Sequence, residues 1–237
     1  LLDKFNGFDM MNKKGDWRIF MEKNLYSLML MDSVVAEIDK MALRENTNRS
    51  NLVNQILAEY VSLMTPEKRI DNIFRSIEKL LSETGELIPF VAPNQLTMSM
   101  KSSLEYKYRP TIKYLVQLYR VPNGAIGELN VNFRTQSAAL LSDITAFFRL
   151  WKRLEDAYIA QHYAPGAIRY ELYDTRLVRT IAVSRDRDYT NEELGTAISA
   201  YVTMFDELMK GYLCGTYTPA ELEQRYLAYL NKGTGLI

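Results

Sequence analysis

Hydrophobic positions change period several times along the chain, and each change predicts an element. Residues 25–31, LYSLMLM, hold no charge, proline or glycine and read as a short strand. Tyr26, Leu28 and Leu30 lie on one face of it, and Leu25, Ser27 and Met29 on the other. From Val34 the spacing turns helical. Val34, Val35, Ile38, Met41 and Ala42 share a face, with Glu37, Asp39, Lys40 and Arg44 off it. Asp32-Ser33 reads as the capping pair, and Asn46 suits the left-handed residue that ends a helix. The next helix opens on Asn48, whose side-chain oxygen can accept from a free first-turn amide. Its apolar stripe is Leu52, Val53, Ile56, Leu57, Tyr60 and Val61. A third helix, over 65–85, has Thr65 as cap, Pro66 at its first position, where a missing amide costs nothing, and Gly85 as its stop. Its apolar face is Ile70, Ile73, Phe74, Ile77, Leu80 and Leu81.

ELIPFVAPNQ, with two prolines, reads as a connector. Beyond about residue 96, LTMSMK, TIKYLVQLYR and GELNVNFR read as strands, the last two joined by the turn signal VPNGAIG. A long helix is expected from about 137 to 162. The hairpin IRYELYD/RLVRTIAVS follows, with its turn near Asp174-Thr175. A helix over about 191–213 comes next, and a last one starts at Thr218-Pro219. Strand runs broken by long helices predict an α+β body with a mainly antiparallel sheet. The expected division is an arm over 1–24, a module over 25–62, a connecting helix and linker over 63–95, and the α+β domain over 96–237.

A strand and two helices in some 40 residues bury too little surface to stand alone, and a lone strand leaves its backbone groups unpaired. A second copy remedies both, with the two strands antiparallel and four helices beneath them. At this point LMLMDSVVAEIDKMALRENTNRSNLVNQILAEYV resembles the ribbon-helix-helix DNA-binding family of the MetJ/Arc/CopG type. The resemblance rests on the alternating strand, the amphipathic helix and the Asn turn. A second helix with Asn48, Arg49, Ser50, Leu52, Val53, Ile56, Leu57, Glu59 and Tyr60 completes it. It implies a homodimer whose paired strands lie in the major groove of double-stranded DNA. Leu25, Ser27 and Met29 would then meet base edges. The start of the second helix would hold a phosphate through free amides, the helix dipole, Asn48, Arg49 and Ser50, with Lys23 and Asn24 adding polar contacts. The sequence departs from the family at the outward strand positions, where Leu25 and Met29 are apolar. Those two side chains equally suit a protein partner, so an antitoxin-like interaction protein using the same dimer module is the alternative.

Composition narrows the chemistry. The 237 residues are 47% hydrophobic and 24% charged, with 29 basic and 29 acidic side chains, an ordinary globular make-up. Zero net charge argues against a generally basic nucleic-acid coat, although basic residues predominate over 100–190 and acidic ones after 191. No apolar run reaches the roughly 18 residues of a membrane span, so no membrane partner is expected; a single cysteine excludes an intrachain disulfide framework, and a reducing cytoplasm is the expected location. The one cysteine, Cys214, and the one histidine, His162, lie in no nucleophile or metal-site pattern, and neither VPNGAIG nor GYLCG is a phosphate loop. No enzyme activity, cofactor or metal is expected. In the second hairpin Arg169, Arg176 and Arg179 interleave with Tyr170 and Tyr173. Arginine forks suit carboxylate and phosphate, which makes these three the candidate site for an anionic small-molecule effector. The expectation is a sequence-specific transcriptional regulator whose C-terminal domain senses an effector or drives higher assembly.

Overall fold

The computed structural model describes residues 24–85, 87–91, 96–105, 109–122, 124–183 and 189–233. They form α1 (Asp32–Arg44), α2 (Arg49–Tyr60), α3 (Pro66–Thr84), β1 (Ile88–Val91), β2 (Thr97–Ser103), β3 (Thr111–Leu118), β4 (Gly127–Phe133), α4 (Ala138–Tyr158), a 3-10 turn at Ala160–His162, β5 (Tyr170–Leu172), β6 (Arg176–Ile181), α5 (Asn191–Leu213) and α6 (Pro219–Asn231). The class is α+β. The six strands make one sheet in the order β1-β2-β3-β4-β6-β5, antiparallel throughout.

Period-two alternation divides the sheet into two unlike faces. The inner one carries Met98, Met100, Ile112, Tyr114, Val116, Leu129, Val131, Phe133, Leu177 and Ile181, all buried. It packs on Ile70, Ile73, Phe74, Ile77 and Leu81 of α3, Phe147, Phe148 and Trp151 of α4, and Ile198, Tyr201 and Phe205 of α5 in one hydrophobic cluster. Aromatic rings fill its centre. Phe147 and Trp151 each meet the Phe205 ring near edge-on, at 5.5 and 4.7 Å between centroids. α3 and α5 cross closely at Gly195, where an added Cβ would lie 2.6 Å from the Ser76 side chain. α6 closes the far side of α5 through buried Leu222 and Tyr226.

Local chemistry explains most boundaries. Asn48, Thr65, Ser137, Thr190 and Thr218 each accept a first-turn amide, with full capping boxes at Thr190/Glu193 and Thr218/Glu221. Gly85 and Asn46 take the expected left-handed backbone, at φ 68° and 51°.

Four expectations change. α1 begins at Asp32 itself, with Met31 at the cap and no side-chain capping bond. Asp32 instead places its charge at the positive end of the helix. The proline-containing connector holds β1, because Pro89 lies on an edge strand, where the missing donor is tolerated. α3, expected as a core or dimer-packing helix that also joins the module to the rest, packs into the core of the C-terminal body, so that core draws on residues before 96. Residues 25–31 make no strand within the single chain. Their predicted ladder needs a second copy.

Candidate nucleic-acid interface

The N-terminal module is apolar and almost entirely uncovered. Ala42, Leu52 and Ala58 are its buried side chains, while Leu43, Ile56, Leu57, Tyr60 and Val61 stay exposed. Exposure along residues 25–31 follows the sequence alternation. Leu25 and Met29 are 98% and 102% exposed, whereas Leu28 and Leu30, on the other parity, are 62% and 46% exposed. Between α1, α2 and α3 runs a groove of about 610 Å3 with Met41, Leu52, Ile56 and Leu63 among its apolar lining.

Asn48, Arg49 and Ser50 come together at the open start of α2. Thr47 donates its amide to the Ala42 carbonyl at 2.9 Å and so closes the turn that aims α2. The Asn48 side chain accepts from the Asn51 amide at 2.9 Å. Arg49 reaches back to α1 and donates twice to Asp39, Nε to Oδ1 at 2.8 Å and Nη2 to Oδ2 at 2.6 Å. These bonds hold the Asp39 carboxyl below the ordinary carboxylate value and raise Arg49. Both partners remain in solvent. Asn24, Leu25, Ser27 and Met29 are exposed; Lys23 lies outside the described residues.

The three arginines of the hairpin are not brought together. Arg176 and Arg169 lie towards opposite ends of the outer sheet face, and Arg176 stacks on the Tyr173 ring at 4.2 Å. Arg179 shares the inner face with Leu177 and Ile181, is fully buried, and pairs with Glu155 of α4 at 2.8 Å. Glu155 also accepts the hydroxyls of Tyr201, at 2.6 Å, and Tyr170. Trp151 Nε1 donates to Tyr201 at 3.0 Å, and the Arg179 guanidinium lies 4.4 Å from the Tyr201 ring centroid. Burial disfavours the Arg179 cation most strongly, but the Glu155 charge and hydrogen bond together with the neighbouring Tyr201 and Tyr170 outweigh it and raise the pKa. Burial first, then Glu155, pushes the Tyr170 hydroxyl up. The Arg179 charge is therefore spent inside the protein, and the candidate effector site has no common centre.

Sequence reasoning missed the Glu155 cluster, although a signal was present. Positions 177, 179 and 181 share strand parity, so the pattern that buries Leu177 and Ile181 also buries Arg179. A second buried carboxylate, Asp206, accepts from Tyr114 at 2.7 Å, Ser102 at 3.2 Å and Lys210 at 2.6 Å. Both carboxylates are satisfied within the fold. Among the described residues no group of three or more His, Cys, Asp or Glu is placed to hold a metal, and no helix is long and apolar enough to cross a membrane.

No protein-family model, curated protein or solved structure matches the chain.

Proposed function

We propose that the protein is a sequence-specific DNA-binding transcriptional regulator that acts as a ribbon-helix-helix homodimer. The observation that supports this is the form of residues 24–60. Two linked helices present uncovered apolar faces, preceded by an apolar segment with alternating exposure, and Asn48, Arg49 and Ser50 sit at the open start of α2. Pairing residues 25–31 across a two-fold axis supplies their missing ladder and gives Leu28, Leu30, Ile56 and Leu57 a common interior. The two α2 starts then flank the ribbon and can each take a DNA phosphate. The C-terminal body supplies an effector or assembly surface.

A mobility-shift titration with DNA selected from a random pool tests the reading. A dimer should shift selected duplexes, with affinity falling steeply between two salt concentrations, because phosphate contacts release counterions. A folded dimer with no selectable sequence would reject it. The near-complete exposure of Leu25 and Met29 favours the second reading, an interaction protein that turns the same face to a protein partner. Leu25→Ser/Met29→Ser variants that lose a protein partner and keep DNA affinity would decide for it.

A further inference from the structure

The outer face of the sheet carries an ordered pattern that none of the described helices uses. Every hydrogen bond and ring contact between the described strands and helices starts from the inner face or its edges. Cross-strand register sorts the outer side chains into rows. One row runs Ile88, Lys101, Lys113, Asn132, Arg176 from β1 to β6. The next runs Phe90, Ser99, Leu115, Asn130, Val178, Glu171. Lys101 and Lys113 are directly opposed and exposed. Like charges so placed are destabilising in a sheet, and neither has an ion-pair partner among the described residues. Arg134 stands exposed just past the end of β4 on this side of the sheet. The two acidic residues of the face are elsewhere. Glu171 ends the second row and accepts from Tyr173, and Glu128 sits at the opposite end and accepts from Tyr119.

We infer that this face binds a single-stranded nucleic acid, phosphates along Lys101, Lys113 and Arg176 and bases over Phe90, Leu115 and Val178. Adjacent strands lie about 4.8 Å apart, so the cationic row extends roughly 14 Å. The apolar row lies two residues along each strand, about 6.8 Å away. A single strand offers the matching pair of lines, charge on one side and stackable faces on the other. Phe90 is 64% exposed and can stack a base, and Asn132 in the cationic row, which donates to Asn130 in the apolar row at 3.2 Å, forms with it a partly buried amide pair whose remaining donors and acceptors can reach base edges. A duplex turns its bases inward and would leave Phe90, Leu115 and Val178 uncovered. The inference is independent of the N-terminal module, whose contacts are to a duplex.

The test is fluorescence anisotropy of a labelled oligothymidylate titrated with the full chain at several salt concentrations. Arg49→Ala/Ser50→Ala serves as the background, so that the α2 starts do not contribute. All further variants are compared with that background. Adding Lys101→Gln, Lys113→Gln and Arg176→Gln should weaken binding about tenfold or more and flatten the log-log salt slope by about two, since each single-strand phosphate contact contributes about 0.7. Adding Phe90→Ala and Leu115→Ala should weaken binding with the slope unchanged. All these side chains lie on the outer face, and circular dichroism melting checks that each variant remains folded. Absence of binding by the folded wild type, or a triple variant with unchanged affinity and slope, overturns the inference. Displacement by duplex as effective as by single strand also overturns it, as does equal displacement by polyglutamate, which would assign the face to an acidic protein.

Discussion

Glu155 and Arg179 are the residues on which the C-terminal body depends most sharply. Each is buried with its charge, and each has the other as its counter-ion. Removing one partner leaves an uncompensated charge in an apolar interior, which costs about 3–5 kcal/mol. Glu155→Ala should therefore lower stability in a urea titration by that order. Glu155→Leu with Arg179→Met removes both charges and should be more stable than the single variant, because no unpaired charge remains, although Tyr170 and Tyr201 lose their acceptor in both. The surrounding tyrosines set the alkaline limit. Burial raises Tyr114, Tyr201 and Tyr226 above their ordinary value of 10.0. The neutral form is thus favoured in the fold, so its contribution is fully present below pH 10. Above that the unfolded chain releases protons that the folded chain retains. Stability should fall with rising pH by about 1.4 kcal/mol per pH unit for each such tyrosine until its folded-state pKa is passed. Denaturant midpoints measured from neutral pH upward check it. A flat profile above pH 10 would mean that these hydroxyls are not buried.

At the level of elements, α1, α2 and the segment before them leave most of their large apolar side chains exposed, open to a covering partner. If that is a second copy, Leu28→Asp or Leu30→Asp should convert a dimer to a monomer in analytical ultracentrifugation, since each side chain buries about 1.5–3 kcal/mol of apolar surface in the pairing. The Asp39–Arg49 pair adds a finer prediction. Asp39 holds the guanidinium that a phosphate would otherwise receive, so Asp39→Asn should raise affinity for every DNA sequence by a similar factor. Arg49→Ala with Ser50→Ala should lower it equally uniformly, because phosphate contacts position without reading bases. Mobility shifts on two unrelated sequences separate uniform from sequence-dependent effects. The elements themselves were largely legible. Asn48, Thr65, Ser137, Thr190 and Thr218 announce helix starts through local hydrogen bonding that needs no tertiary context, and β-branched runs with period two announce the central strands. β1 was hidden because proline is read as a breaker, and only its edge position, a tertiary property, makes Pro89 acceptable. A partner for residues 25–31 would be equally non-local. The candidate effector arginines failed for a different reason, since spacing along the hairpin cannot tell which face meets a buried Glu155.

For the whole molecule, the division lies before α3. The stripe of Ile70, Ile73, Phe74, Ile77 and Leu81 was visible as a helical face, but its destination against α5 and the sheet was not, because periodicity shows that a face is buried and not on what. That destination decides what can fold alone. A chain beginning at Leu63 gives up Ala42, Leu52 and Ala58, none of which belongs to the main cluster, together with exposed links such as the 3.7 Å Lys68–Glu59 pair. Exposed pairs contribute about 0–1 kcal/mol. A chain beginning at Leu96 gives up the whole α3 stripe and β1. Five large side chains at about 1.5–3 kcal/mol each amount to as much as the net stability of an ordinary domain, about 5–15 kcal/mol. The sheet would also open a new edge at β2. The chain from Leu63 should therefore unfold in one cooperative thermal transition and sediment as a monomer, free of the module that would pair it. The chain from Leu96 should show no such transition and expose apolar surface to a hydrophobic dye. A cooperative transition in the shorter chain would mean that α3 is a connector after all. Failure of the longer one to fold would mean that α1 and α2 support the body rather than stand apart from it.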